Sequence, residues 1–160
     1  MTHHLLVVDD DPAIRRMLTH LLEAEGYAVQ TAMDGSDALS VIEAGQPDLL
    51  LVDLQMPGMG GLELLSRLSD LAVVPPSIVI SGQLDGRRLA ERAGAVEFIA
   101  KPFEVDELLE AVASLLDAPP RAPRDKSARF SKGYARLAME GVDPRGSSAS
   151  HSAARDHACS

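Results

Sequence analysis

The sequence has no tryptophan, two tyrosines, three phenylalanines and a single cysteine, Cys159, next to the last residue. One cysteine cannot form an intrachain disulfide, which agrees with a reducing cytosol. Aromatics make up 3% of the chain and hydrophobic residues 46%, so any core has to be aliphatic. Long apolar runs are missing as well. The four-residue run near the amino terminus is cut short by acids, unlike a signal peptide, and no run approaches the roughly 20 residues of a membrane span. These absences lead us to expect a soluble, cytoplasmic protein with no membrane partner.

What is present is charge of one sign, unevenly placed. The net charge is −9; residues 1–117 carry 7 basic against 20 acidic side chains, and the other 43 residues carry 8 against 4. The break falls at Ala118-Pro119-Pro120-Arg121-Ala122-Pro123, where prolines end any helix. We therefore expect a folded domain over 1–117 and a basic tail rich in Pro, Ser, Ala and Arg over 118–160, largely disordered.

Within 1–117, short apolar runs alternate with helical periodicity. Leu5–Val8 is followed by Ile14, Met17, Leu18, Leu21 and Leu22 at the spacing of one helix face. Asp11 suits the cap of that helix, Pro12 its first position and Gly26 its end. Further strands are expected at Tyr27–Ala32, Leu49–Asp53, Ser77–Ser81 and Ala95–Ala100. Further helices are expected at Ser36–Ala44, Gly61–Leu68, Leu84–Ala93 and Val105–Leu116. Strict alternation of this kind implies an α/β fold, a doubly wound five-stranded parallel sheet covered on both faces by five helices. Of the common windings, the flavodoxin-like order 2-1-3-4-5 opens a crevice at the carboxyl ends of strands 1 and 3. Asp9-Asp10 end one of those strands and Asp53 the other.

A single Asp at a strand end is ordinary turn chemistry, and Asp11 fits that description. Asp9 and Asp10 would face opposite sides of a continuing strand, so they converge only if the strand stops there. Three carboxylates gathered without a counter-ion would raise their pKa values and oppose folding. A hard divalent cation relieves this, and Mg²⁺ held by carboxylates and waters is the expected form.

The segments "VVDDDP", "LLLVDLQMPGMGGLEL", "IVISG" and "AGAVEFIAKPF", closed by an amphipathic helix, occur in this order and spacing. From about Leu5 to Leu116 the chain resembles the receiver domain of bacterial two-component response regulators. The resemblance implies that Asp53 is the phospho-acceptor and that Asp9 and Asp10 hold Mg²⁺ together with Asp53 and the backbone carbonyl of Gln55. It implies that Ser81 and Lys101 contact the phosphoryl group and that the Lys101-Pro102 peptide is cis. Phe98 falls at the aromatic switch position, often Tyr in the family, and lacks the hydroxyl that Tyr would carry. Gln55 and Gln83 fall where the family tunes the lifetime of the acyl phosphate.

The implied function is phosphorelay signal transduction. A histidine kinase or phosphotransfer protein donates the phosphoryl group, Asp53 receives it, and a face bearing Ser81 and Phe98 signals to a downstream protein. The chemistry suits the residues, because phosphoryl transfer needs little beyond alignment and charge stabilisation. Such a domain modifies itself and has no separate substrate, so it is not expected to be an enzyme in the ordinary sense. The remaining 43 residues leave no room for an effector domain, so a receiver standing alone is expected. An Mg²⁺-dependent phosphohydrolase with an aspartate nucleophile is the competing reading; that class opens with a D-x-D motif, whereas Asp11 precedes Pro12 and reads as a cap. A receiver-like interaction module that is never phosphorylated is a third, and it would normally lack one of the acids or the lysine. In the tail, Phe130, Tyr134, Leu137 and Ala138 fall on one helical face among basic residues, but Gly133 weakens that helix. Nucleic-acid binding is not expected of it. All five histidines, His3, His4, His20, His151 and His157, read as surface residues.

Overall fold

The computed structural model describes residues 1–117. The expectations for the tail, and for His151 and His157, lie outside the described residues.

Apolar runs and amphipathic stretches alternate as β1 (His4–Val8), α1 (Pro12–Ala24), β2 (Ala28–Ala32), α2 (Gly35–Ala44) and β3 (Leu49–Val52). They continue as α3 (Gly61–Leu68), β4 (Ser77–Ser81), α4 (Gly86–Ala93), β5 (Glu97–Ala100) and α5 (Val105–Leu116). All strand pairs are parallel and the sheet order is β2-β1-β3-β4-β5. Both the winding and the number of elements agree with the sequence.

β1, β3 and β4 are buried along nearly their whole length because helices cover both faces. On one face Leu5, Val7, Leu49, Leu51, Ile78, Ile80 and Ile99 form a cluster with Leu18 and Leu22 of α1 and Leu108 and Val112 of α5. Side chains alternate along a strand, so Leu6, Val8, Leu50, Val52, Val79 and Phe98 point to the opposite face, and all six are buried. Each fully buried leucine or valine contributes roughly 1.5–3 kcal/mol relative to leaving it exposed. The core is aliphatic, as the scarcity of aromatics requires.

Local signals act as their chemistry dictates. The Asp11 carboxylate accepts the Ala13 N–H at 2.8 Å and caps α1, with Pro12 in the first helical position. Five expected boundaries shift by one or two residues, at β1, β2, α2, the end of β3 and the start of β5. The start of α4 is corrected by two residues as well, to Gly86 rather than Leu84. Leu84 projects fully into solvent from the loop, while a Cβ at position 86 would stand 2.9 Å from Cε2 of Phe98. The helix begins where the absence of a side chain lets it close on the Phe98 ring.

Candidate functional site

The site follows from the register of the two central strands. Val8 of β1 pairs with Val52 of β3, so the next residues, Asp9 and Asp53, leave the sheet side by side. The Asp53 N–H donates to the Val8 carbonyl at 3.0 Å and the Asp9 N–H to the Ala32 carbonyl at 3.2 Å. β1 then stops, the chain turns, and Asp10 joins the other two. Oxygens of Asp9, Asp10 and Asp53 all lie within 4.8 Å of one another, with Asp9 buried and Asp10 exposed.

Asp9 and Asp53 are held in place. Asp9 Oδ1 accepts the Asp11 N–H at 2.9 Å, and Asp53 Oδ1 accepts the Gln55 N–H at 3.1 Å. The guanidinium of Arg15, one turn into α1, donates to the Asp9 carbonyl. On α3, Gly61 lies so close beneath Asp53 that a Cβ would run into the Asp53 carbonyl group. This glycine is required by close approach of backbone to backbone.

β4 and β5 deliver the remaining groups. Ser81 ends β4 and is 1% exposed, and its Oγ accepts the Gln83 N–H at 3.2 Å. The Lys101 N–H donates to the Ser81 carbonyl at 3.0 Å, which brings the lysine to the same end of the sheet. Its ammonium donates to Asp53 Oδ2 at 2.8 Å and to Asp9 Oδ2 at 3.1 Å. The Lys101-Pro102 peptide is cis. Phe98, one strand face away, is buried and carries the Arg87 guanidinium 5.2 Å from its ring centroid.

Electrostatics reflect this crowding. Burial pushes the Asp9 carboxyl above its usual range, and the Asp11 N–H and the Lys101 ammonium only partly oppose it. Burial alone would lower the Lys101 pKa. The hydrogen bond and charge of Asp53, and then those of Asp9, outweigh it and raise the pKa above its usual value. Three convergent carboxylates, two of them on buried strand ends, make a donor set of hard oxygen only. That set fits a small hard cation such as Mg²⁺ and offers nothing to a soft one.

Asp9, Asp10, Asp53, Ser81 and Lys101 are thus brought to one end of the sheet, with Gln55 beside them through its amide. Phe98 stands apart from the acids, on the α4 side. His3, His4 and His20 are not among these groups. Sequence reasoning did not find Arg15, Gly61 or Arg87. Gly61 left a trace in the Gly60-Gly61 pair, which marks the turn after Asp53 but not the close approach itself; the two arginines left none.

A family model for the response regulator receiver domain matches residues 5–113. Sporulation initiation phosphotransferase F of Bacillus subtilis (strain 168) is 36% identical over 118 residues, which cover 72% of this chain and 95% of that protein. The response regulator MprA of Mycobacterium bovis is 36% identical over 135 residues; the match covers 82% of this chain but 59% of MprA, so the chain spans only part of that relative. Among solved structures, a response regulator receiver domain protein from Methanospirillum hungatei JF-1 superposes with a TM-score of 0.69 at 34% identity, covering 73% of this chain and 95% of that one. The response regulator TrrA of Thermotoga maritima, solved in complex with Mg²⁺ and BeF, gives 0.67 at 38% identity, covering 72% and 100%. Fold, strand-end acids and sequence therefore lead to one place: the chain belongs to the receiver domains of response regulators.

Proposed function

We propose that this protein takes a phosphoryl group from a histidine kinase or phosphotransfer protein onto Asp53, and that this event changes a face read by a downstream protein. The observation that carries the proposal is the paired emergence of Asp9 and Asp53 from registered strands with Lys101 bridging them. Membership of the receiver family supports a phosphoreceiver role in two-component signalling, and no helix among the described residues is long and apolar enough to cross a membrane.

In the proposed reaction, a carboxylate oxygen of Asp53 forms the new O–P bond as the P–N bond to the donor imidazole breaks. Asp53 is oriented for this by the Gln55 N–H at its other oxygen. The Lys101 ammonium offsets charge on the phosphoryl oxygens, and the Ser81 hydroxyl, at the buried end of β4, donates to one of them. Asp9, Asp10, Asp53 and the Gln55 carbonyl would hold Mg²⁺, which supplies positive charge against the repulsion between carboxylate and phosphoryl anions. Drawing Ser81 toward the phosphoryl group frees space on the face that Phe98 shares, and α4 and β5 repack around that ring. Residues 1–117 contain every group this scheme needs, so the basic stretch from 118 onward is dispensable for phosphoryl uptake.

The test is direct labelling. Incubation with acetyl phosphate or phosphoramidate should add one phosphoryl group, and mapping the adduct by mass spectrometry after reductive trapping should place it on Asp53. Labelling that persists in Asp53→Asn, or that proceeds unchanged in EDTA, would remove the assignment.

A further inference from the structure

The sheet has two edges, and they are built differently. At β5, Glu97 puts a charge on the edge strand, and its carboxylate accepts the Phe98 N–H at 3.2 Å. Charge of this kind opposes pairing with another strand. β2, the opposite edge, reads Ala-Val-Gln-Thr-Ala and has no charged residue. Its backbone groups divide by alternation. Ala28 donates its N–H to the His3 carbonyl at 2.9 Å, and the Ala32 carbonyl accepts the Asp9 N–H at 3.2 Å, so both face β1. Val29 and Thr31 have the other parity and turn their N–H and C=O groups outward, where no other strand among the described residues pairs with them.

Both faces beside this edge are grooved. Toward α1, a groove of about 390 Å³ is lined by Val29 and Thr31 with Arg15, Arg16, Thr19 and His20. Toward α2, a groove of about 320 Å³ is lined by Gln30 with Ser40, Val41 and Ala44.

We propose that the β2 edge docks an extended segment of a partner protein by strand addition, with an acidic side chain of that segment seated in the α1 groove. Strand addition needs main-chain donors and acceptors along an edge, and pockets for alternate side chains. The outward groups of Val29 and Thr31 meet the first need, and the grooves on either face of β2 meet the second. Charge selects the occupant. Residues 1–117 carry 20 acidic side chains against 7 basic, yet the α1 groove gathers Arg15, Arg16 and His20. The Arg15 guanidinium already donates to the Asp9 carbonyl. Arg16 and His20 are exposed one turn apart on α1, and a carboxylate on the added strand meets them. The next side chain of that strand points into the α2 groove, where Val41 and Ala44 suit a small apolar group. This surface is separate from the strand-end acids and does not depend on what they bind.

The test uses the full chain and the capped peptide Thr-Val-Glu-Val-Thr, followed by NMR. Binding should be weak, on the order of millimolar, because a free peptide loses its conformational freedom on pairing. The peptide should shift the Val29 and Thr31 amide signals and slow their hydrogen exchange about twofold at half-saturation. The same peptide with Gln in place of Glu should bind about fivefold more weakly, and so should the original peptide to Arg16→Glu. Thr31→Pro removes an outward donor, leaves the ladder to β1 in place and should abolish the shifts. If millimolar peptide leaves both amides unmoved, or if Thr31→Pro binds as the wild type does, strand addition is overturned. Equal binding of the Glu and Gln peptides overturns the acidic partner. Protection of Val29 and Thr31 that grows with protein concentration in the absence of peptide would give the edge to a second copy of this chain, and the proposal falls. Should Thr31→Pro fail to fold, exchange in the wild type decides: slowing at Val29 and Thr31 supports docking, and unchanged exchange overturns it.

Discussion

Asp48 and Asp9 stand at opposite ends of the sheet and do the same local job. Asp48, before β3, accepts the His4 N–H at 2.8 Å; Asp9, after β1, accepts the Asp11 N–H at 2.9 Å. Each also faces a basic side chain: His3 Nδ1 lies 3.7 Å from Asp48, and Lys101 Nζ 3.1 Å from Asp9. The environments differ. The Asp48 side chain is 49% exposed and the Asp9 side chain 5%. An exposed carboxylate keeps its water, so Asp48 is turn chemistry with a weak ionic contact. Asp9 has lost its water, sits within reach of two more carboxylates, and is pushed up in pKa by burial. Nothing in the folding of the chain asks for that arrangement. Under the proposed function, the cation held by these acids supplies the compensation that the fold itself does not.

The largest expected consequence separates these two aspartates by rate. Asp9→Asn and Asp10→Asn should each slow phosphoryl uptake by about 100-fold, the scale of losing one fixed electrostatic group from a reacting site. Asp48→Asn should label at the wild-type rate. Time courses with phosphoramidate at fixed Mg²⁺ make the comparison, and equal slowing of all three would erase it.

A second contrast concerns backbone. Gly61 lies against the Asp53 carbonyl group, whereas a Cβ on Gly45 would meet nothing within 4 Å. Gly61→Ala should cost about 1–3 kcal/mol through overpacking, and Gly45→Ala should stay within about 0.5 kcal/mol of the wild type. Urea midpoints at constant slope measure both. A neutral Gly61→Ala would mean that the loop after Asp53 is slack rather than fixed.

Smaller still is the contact over Phe98. The coupling between the Arg87 guanidinium and the Phe98 ring should be worth about 0.5–1 kcal/mol, so the loss on Arg87→Ala should shrink by that amount when Phe98 is already leucine. A double-mutant cycle in chemical unfolding isolates that coupling. Equal losses from Arg87→Ala with and without the ring would show that Arg87 acts elsewhere.

The pH dependence of Lys101 gives the last comparison. Its folded pKa lies above the usual 10.5, so its contribution to stability is complete below 10.5 and is lost as pH rises through the raised value. Between pH 10 and 12 the wild type should lose melting temperature faster than Lys101→Met. Parallel curves would place the alkaline loss in other groups.

Much of this arrangement was legible in the sequence. Wholly apolar runs ending in acids located β1 and β3, and alternation with helical periodicity narrowed the winding to a few common orders, one of which, the observed β2-β1-β3-β4-β5, places Asp9, Asp10 and Asp53 at one crevice. Lys101 and Ser81 were reached only through family resemblance, because a lysine after a strand and a serine ending one are common on any surface. Arg87 was illegible for a related reason. Its periodicity marks a solvated helix position, and a long side chain can fold back over a ring with no trace in spacing. The start of α4 was misjudged at Leu84 because apolar spacing outvoted a contact between residue 86 and Phe98, twelve positions along the chain. Local patterns report which face a residue occupies; they do not report close approaches between distant segments.

Whether the buried acids are held against folding for the sake of a cation is tested most directly by melting Asp9→Asn beside Asp48→Asn, with EDTA and with Mg²⁺. Because burial raises the Asp9 pKa, its ionised form costs stability at neutral pH, a cost that grows as pH rises from 3.8 through the raised value. In EDTA at pH 7, Asp9→Asn should melt above the wild type and Asp48→Asn should not. In Mg²⁺ the wild type and Asp48→Asn should both gain, while Asp9→Asn gains little or nothing. An Asp9→Asn protein that melts below the wild type in EDTA, or that gains as much from Mg²⁺ as the wild type does, would contradict the claim.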